Sequence, residues 1–568
     1  MGSMAPSPTP DLLPHIIASR AASTPSRVFA ITPRSRSLDD GFAETTYAEV
    51  GRAIDRFAWW LDENLGGKAE KDAFPTVIEK RKDDTEPSHW QPKVYSGWTV
   101  VVSISKTFAD QFSPQVLIPL TQNSFEAHLN LVEKTDANTL IGAGEGLAIW
   151  EKVKEHKPDV EILVMPELDE LLRGEPVEPY PFTKTWEEAR LDPIHVNHTS
   201  GTTGLPKPIT NANVWAISLL RDCALISQGR QLALASLARR KILAFMPPEW
   251  IVGLLLQLHM PVYMDLIPVL LPITAPRPLT ADYVDRVHQL APRDVDSGFY
   301  VPDLLKQLVK TPSHVAHMQH LSTIFFGGAA LDKSAGDALA AFAVVQPVMG
   351  ATEIGAMPLL ATDPADRCED WDWYGFDLAH YSGVRMRPYA DDLHEMVIER
   401  VPGEREVQII FNVLPPGEQE YHTKDLFREH AAKKGRWKFA GRTDDFVKLA
   451  SMTKFSAGHV EVLLDRHPLV RDTVVGGDGR KEPFVLVQLQ ESEGQRAREE
   501  VLADIWPVFE EANALIAEEI RLRKEMVLFA TPDRPFRKAG KGTINRRATV
   551  ADYEDEIRCM YERVGSEA

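Results

Sequence analysis

His198-Thr199-Ser200-Gly201-Thr202-Thr203-Gly204-Leu205-Pro206-Lys207-Pro208 is the stretch on which the reading of this chain turns. Small and hydroxyl-bearing residues crowd around two glycines, and a lysine follows shortly after the second. A backbone with so little side-chain bulk can fold back and turn its N–H groups toward an anion. The Ser and Thr hydroxyls add donors and Lys207 adds a point charge, so the stretch reads as a phosphate cradle. It is not a Walker loop, because Pro206 and Pro208 stand where G-x-x-x-x-G-K-[ST] needs Gly and Ser or Thr.

Working outward, the chain of 568 residues is too long for one compact core, so more than one domain is expected. Hydrophobic content of 44% and charged content of 26% are those of an ordinary globular protein. A formal charge of −19 leaves no basic excess for a nucleic-acid backbone. Three widely spaced cysteines, Cys223, Cys368 and Cys559, fit neither a disulfide framework nor a zinc knuckle. No segment approaches the roughly 18 apolar residues of a membrane-spanning helix. A cytoplasmic protein acting as a monomer, without membrane or nucleic-acid partners, is expected.

Along the chain, residues 11–65 read as helix, short strand, helix, with Thr46 capping a helix whose Val50, Ile54, Phe57 and Leu61 recur at helical spacing. Residues 66–92 lose periodicity and read as an exposed insertion. Val100-Val101-Val102, Val116-Leu117-Ile118, Thr139-Leu140-Ile141 and Ile162-Leu163-Val164 are short apolar runs of the buried-strand kind. They alternate with helical stretches, one opening at Asn123, and a helix is expected from Val214 to Ser227. Further strands at Ile324–Phe326 and Pro347–Met349 end in Gly-Gly-Ala-Ala and Gly-Ala-Thr-Glu, where a flat ligand can reach the backbone. The fold class is therefore α/β, with layered sheets and helices. The last 125 or so residues carry strands at Thr473–Val475 and Phe484–Leu489 and a long helix from Glu499 to Glu519, a small α+β domain.

The string T-S-G-T-T-G-x-P-K resembles the phosphate loop of the adenylate-forming superfamily: acyl-CoA synthetases, luciferases and nonribosomal peptide synthetase adenylation domains. The similarity runs through the chain in motif order, with Asn123 to Leu129, Phe326 to Leu331 and Gly441 to Leu449 resembling fungal nonribosomal-peptide-synthetase-like carboxylic acid reductases. The resemblance implies a large N-terminal adenylation core, 1–443, and a small mobile C-terminal domain, 444–568. It implies that Thr199, Ser200, Gly201, Thr202, Thr203, Gly204 and Lys207 hold the ATP phosphates, and that Thr352 and Glu353 contact phosphate and Mg²⁺. Gly328, Ala329 and Ala330, with Met349, Gly350 and Ala351, would lie along the adenine. Asp425 would grip the ribose hydroxyls, Arg442 would lie beside ribose and phosphate, and Asp444 would be the hinge. Lys541 would reach the reacting carboxylate, with Lys538 as the fallback.

Two departures stand out from the family pattern. Y-R-T-G-D is here Tyr421-His422-Thr423-Lys424-Asp425, and the aromatic residue before G-x-T-E is Met349. The acid pocket is expected from Trp250, Phe299, Tyr300, Phe325, Phe326, Gly327, Val348, Ala356 and Met357, with Trp250 also a gate toward the thiol and Glu249 facing away. This aromatic lining suits an aryl acid by stacking, or a betaine by cation–π attraction, better than an amino acid. His195 and His198 read as structural histidines.

The implied chemistry is ATP- and Mg²⁺-dependent formation of an acyl-adenylate, followed by transfer to the phosphopantetheine thiol of a carrier domain for later reduction. Carrier and reductase domains are absent from this chain, which reads as an excised first module or a stand-alone relative. One rival is an acyl- or aryl-CoA ligase using free CoA. A rival of another class is a non-catalytic adenylate-binding module.

Overall fold

The computed structural model describes residues 11–65, 100–103, 115–117, 119, 123–142, 147–200, 205–215, 219–220, 229–272, 274–276, 278–376, 378, 383–390, 392–402, 408–415, 417–451, 453–490, 496–538 and 544–565. The expected insertion at 66–92 and most of the expected helix after Val214 lie outside them. The chain forms two compact units, one of residues 1–383 with 399–419, the other of 384–398 with 420–568. The paired strands Glu420–Glu429 and Arg436–Arg442 belong to the second unit.

The first unit is built on a seven-stranded sheet. Its order is Val344–Val348, Thr323–Gly327, Ser297–Tyr300, Lys241–Ala244, Ile267–Val269, Val28–Pro33 and Phe42–Thr46. All neighbours are parallel except the last pair, which is antiparallel. Parallel strands covered on both faces need apolar residues on both, and Ile324-Phe325-Phe326 meets that need. Because successive side chains alternate, Tyr300 and Phe326 join a core with Phe245, Leu304 and Trp371, while Phe299, Phe325 and Val348 join another with Met246, Leu256 and Met260.

A six-stranded sheet in the same unit runs Glu161–Val164, Thr139–Gly142, Val100–Ser103, Gln115–Leu117, Pro193–Ser200, Pro206–Ala212. Its last two strands form an antiparallel hairpin with Thr199 opposite Lys207 and Ser200 opposite Pro206. The second helix, Tyr47–Leu65, begins with a reciprocal cap: the Glu49 N–H donates to the Thr46 hydroxyl and the Thr46 N–H to the Glu49 carboxylate at 2.7 Å. No helix among the described residues is long and apolar enough to cross a membrane.

In the second unit four strands lie in the order Arg436–Arg442, Glu420–Glu429, Leu393–Glu399, Val384–Ala390. A three-stranded sheet, Val470–Gly476, Phe484–Leu489 and Val527–Phe529, packs on helices Ala457–Leu464 and Arg498–Leu515 through Val475, Val485, Ile505 and Phe509.

Helix Ile251–Leu254 comes so close to the preceding turn that a Cβ on Gly253 would overlap the Pro247 carbonyl oxygen and crowd Pro248. Backbone cannot yield as a flexible side chain can. Gly253→Ala is expected to destabilise the protein by about 1–3 kcal/mol, the usual range for overpacking, and thermal unfolding followed by circular dichroism measures it.

Candidate active site

The hairpin of Pro193–Ser200 and Pro206–Ala212 is held from outside. Asn123 lies with its amide nitrogen 3.2 Å from Nε2 of His198, and the Asn130 amide donates to the Pro206 carbonyl at 2.8 Å. Between them Ser124 caps helix Phe125–Lys134, accepting from the Ala127 N–H at 3.2 Å. One short helix thus braces both arms of the hairpin, and Asn130 in this role was not singled out by the sequence. His195 and His198 are buried, and Lys207 is exposed. Gly201, Thr202, Thr203 and Gly204 lie outside the described residues.

Two strand ends of the seven-stranded sheet present bare backbone. Gly327 stands opposite Val348, and a Cβ there would lie 2.9 Å from the Val348 carbonyl oxygen. Gly328 follows at φ 88°, a left-handed torsion natural to glycine, and Gly328, Ala329 and Ala330 are exposed. Past the end of the neighbouring strand at Val348, Gly350-Ala351 pairs antiparallel with Gly355-Ala356 in a separate two-stranded sheet, and the Met357 N–H donates to the Met349 carbonyl at 2.8 Å. The turn between them carries Thr352, which is buried, and Glu353, which is half-buried. Magnesium keeps several waters and takes one or two carboxylates together with substrate phosphates, so the single carboxylate of Glu353 beside a hydroxyl fits it. No group of three or more ligating side chains that could form a closed metal cage occurs among the described residues.

The aromatic residues divide between the two faces of the sheet. Phe299 and Phe325 stack with centroids 6.1 Å apart and share a cluster with Val348, Trp250 and Ala356, while Met357 is buried just beyond the turn. Tyr300 and Phe326 are on the opposite face: the Tyr300 hydroxyl lies 2.9 Å from His288 Nε2, and Phe326 packs edge-on to Trp371. The pleat therefore removes Tyr300 and Phe326 from the expected pocket. Glu249, expected to face away, has a buried side chain at 5% exposure. Trp215 joins the Phe299–Phe325 cluster without having been marked in the sequence, where it reads as one apolar residue of the expected helix after Val214.

In the second unit Asp425 stands opposite Arg442, whose Nη1 donates to its carboxylate at 2.7 Å. Burial pushes the Asp425 carboxyl up to about 6, against the opposing pull of Arg442. Lys424, in the place of the family glycine, has φ 68°. That left-handed torsion costs a non-glycine residue roughly 1–2 kcal/mol. The Lys424 ammonium compensates in part by pairing with Asp444 at 2.9 Å, an exposed contact of modest strength. His422, in the place of the family arginine, lies 3.0 Å from Glu395 and 3.6 Å from Glu420.

Lys541 lies outside the described residues, but both its flanks are defined. Lys538 pairs with Asp472 at 2.8 Å, which commits the fallback lysine to an ion pair. Beyond the loop, Arg546 is bonded to Glu461 and donates to the Val475 carbonyl at 2.8 Å.

The AMP-binding enzyme family matches residues 116–382, and the AMP-binding enzyme C-terminal domain matches residues 444–565. A carboxylic acid reductase of Neurospora crassa is 29% identical over 97% of this chain and 50% of its own length. An adenylate-forming reductase of Serpula lacrymans is 27% identical over 93% of this chain and 47% of its own length. The chain thus spans about half the length of these relatives. Among solved structures, an anthranilate CoA ligase in complex with anthranoyl-AMP matches with a TM-score of 0.63 and 16% identity, over 95% of this chain and 97% of its own. A benzoate CoA ligase from Burkholderia xenovorans matches with a TM-score of 0.61 and 14% identity, over 95% of this chain and 99% of its own. The two matches, to residues 116–382 and 444–565, together cover most of the chain, which belongs to the AMP-binding enzyme family of ATP-dependent carboxylate-adenylating enzymes.

Proposed function

We propose that this chain activates a small non-amino carboxylic acid as its acyl-adenylate and passes the acyl group to the phosphopantetheine thiol of a carrier domain for reduction. The observation that carries the reading is the match, along nearly the whole chain, to about half of a carboxylic acid reductase, joined to the Thr352–Glu353 turn beside two bare strand ends. Carrier and reductase domains are its partners, and the cytoplasm its location.

In the first half-reaction an oxygen of the acid attacks the α-phosphorus of ATP and pyrophosphate leaves. The ionised acid needs no base, so the residues supply position and charge. Residues 199–204 and Lys207 would hold the phosphates, and Thr352 and Glu353 would hold Mg²⁺, which when bound would supply charge neutralisation. Met349 to Ala351 and Gly328 to Ala330 accept the adenine, Asp425 the ribose, and Arg442 the ribose and phosphate. Lys541 steadies the reacting carboxylate. In the second half-reaction the thiol attacks the acyl carbon and AMP leaves. Rotation at Asp444 would exchange the two states, separating the 1–443 and 444–568 parts.

Pyrophosphate exchange across aryl, α-keto, amino and betaine-type acids tests the first step. Thioester formation on a phosphopantetheinylated carrier, compared with free CoA, tests the second. Turnover with CoA alone would replace the carrier reading by the ligase one, and absence of any acid-dependent exchange would leave a binding module.

Three outcomes are expected. Lys541→Ala should slow adenylate formation by roughly a hundred- to a thousand-fold, about 3–4 kcal/mol, while transfer from supplied acyl-adenylate falls far less. Exchange and single-turnover transfer assays separate the two. Glu353→Gln should raise the Mg²⁺ concentration needed for half-maximal exchange, because an amide is the poorer ligand for a hard cation. Asp425 must be ionised to accept two ribose hydroxyls. Its raised value near 6 means that nucleotide affinity should fall as pH drops through about 6, approaching roughly tenfold per pH unit below it. Calorimetric titration with AMP from pH 5 to 8 measures this, and Asp425→Asn should abolish the dependence.

A further inference from the structure

Four charged groups of the second unit stand together with their signs alternating. Lys424 and Asp425 are consecutive on the strand Glu420–Glu429, while Arg442 ends the neighbouring strand and Asp444 lies in the turn after it. The Lys424 ammonium lies 2.9 Å from Oδ1 and 3.2 Å from Oδ2 of Asp444. Arg442 Nη1 donates to Asp425 Oδ1 at 2.7 Å, while its Nη2 is 3.7 Å from Asp444 Oδ2. The guanidinium thus stands between two carboxylates and hydrogen-bonds the nearer one.

Successive residues of a regular strand point to opposite faces, so Lys424 and Asp425 would not ordinarily serve one end of the neighbouring strand. The left-handed torsion of Lys424, φ 68°, interrupts that alternation, and both side chains reach the Arg442–Asp444 segment. Glycine would hold this torsion without cost, so the lysine carries a local penalty. Such outliers concentrate at functional sites, and here the side chain that bears the cost spans both oxygens of Asp444. Without that ammonium, Asp444 would compete with Asp425 for the Arg442 guanidinium.

The charged surroundings of Asp425 make that competition matter. Burial resists its ionisation, Arg442 favours it, and Asp445 and Asp444 in the turn oppose it. Arg546 faces Asp445, and His422 on the same strand as Asp425 is engaged by Glu395 and Glu420.

We propose that Lys424 is a positioning residue for the ribose site: by pairing with Asp444 it keeps Arg442 on Asp425. The inference rests on the reading of Asp425 as the acceptor of the ribose hydroxyls, and it adds the residue that secures its counter-ion.

The test is calorimetric titration with AMP across pH 5 to 8, at about 50 and about 500 mM NaCl. Lys424→Gly and Lys424→Asn both accept the torsion and both remove the charge. Each should weaken AMP binding about two- to fivefold at pH 7 and low salt, and should move the midpoint of the pH dependence upward. The shift is upward because an unpaired Asp444 draws Arg442 away from Asp425 and repels its ionised form. The difference from wild type should shrink at high salt, where exposed pairs are screened. Lys424→Arg keeps the charge and should stay close to wild type. Removing the competitor as well, by combining Lys424→Gly with Asp444→Asn, should bring the midpoint back down, which a merely structural role for Lys424 would not do. An unchanged midpoint in both single variants, or one that the double variant fails to lower, would overturn the inference while leaving nucleotide binding intact. Failure of the wild-type protein to bind AMP would overturn the reading of the ribose site itself, and this inference with it.

Discussion

Alternation of side chains across the parallel sheet is the constraint on which the first unit depends. Every residue on a strand must satisfy one of two buried faces, and at the strand ends the need for side chains stops. At Gly327, opposite Val348, even a methyl group would press on a carbonyl. The same alternation sends Phe299 and Phe325 to one core and Tyr300 and Phe326 to the other. The aromatic wealth of the sequence is thus divided, and only half of it faces the bare strand ends and the Glu353 turn.

The second unit shows how a departure from a family pattern is accommodated. Lys424 occupies a backbone conformation that glycine adopts without strain, and its ammonium reaches Asp444. Asp425, next in the chain, is fixed by its own N–H bond to the Thr423 hydroxyl at 3.1 Å and by Arg442. The Asp425 carboxylate is therefore held by neighbours on both strands, and the lysine does not displace it. Burial opposes its charge and Arg442 favours it, and burial is the larger effect.

Much of the fold was legible because its signals are local. Thr46 with Glu49, and Ser124, announce helix starts through hydrogen bonds made within three residues. Phe484–Leu489 is a strand because six consecutive apolar or amide residues are bounded by proline and polar turns. The strand Phe42–Thr46 escaped notice because its Glu and Thr residues give it no apolar face, and its pairing partner Val28–Pro33 is what makes it a strand. The long helix stops at Leu515 rather than Glu519 because Ile516 turns extended, a tertiary choice. In the site, motif residues could be named from their order alone. Which face a side chain joins depends on register across the sheet, which no local pattern announces.

The hairpin of Pro193–Ser200 and Pro206–Ala212 fixes spacing as well as shape. With Ser200 paired to Pro206 and Thr199 to Lys207, the span of chain between the arms is a fixed length. Substitution can change what lines that span, but adding or removing one residue within an arm would turn every following side chain to the opposite face. Lys207 would then exchange places with a neighbour that belongs on the other side of the sheet. For register alone, a change in the identity of an arm residue is therefore mechanically cheaper than a change in their number.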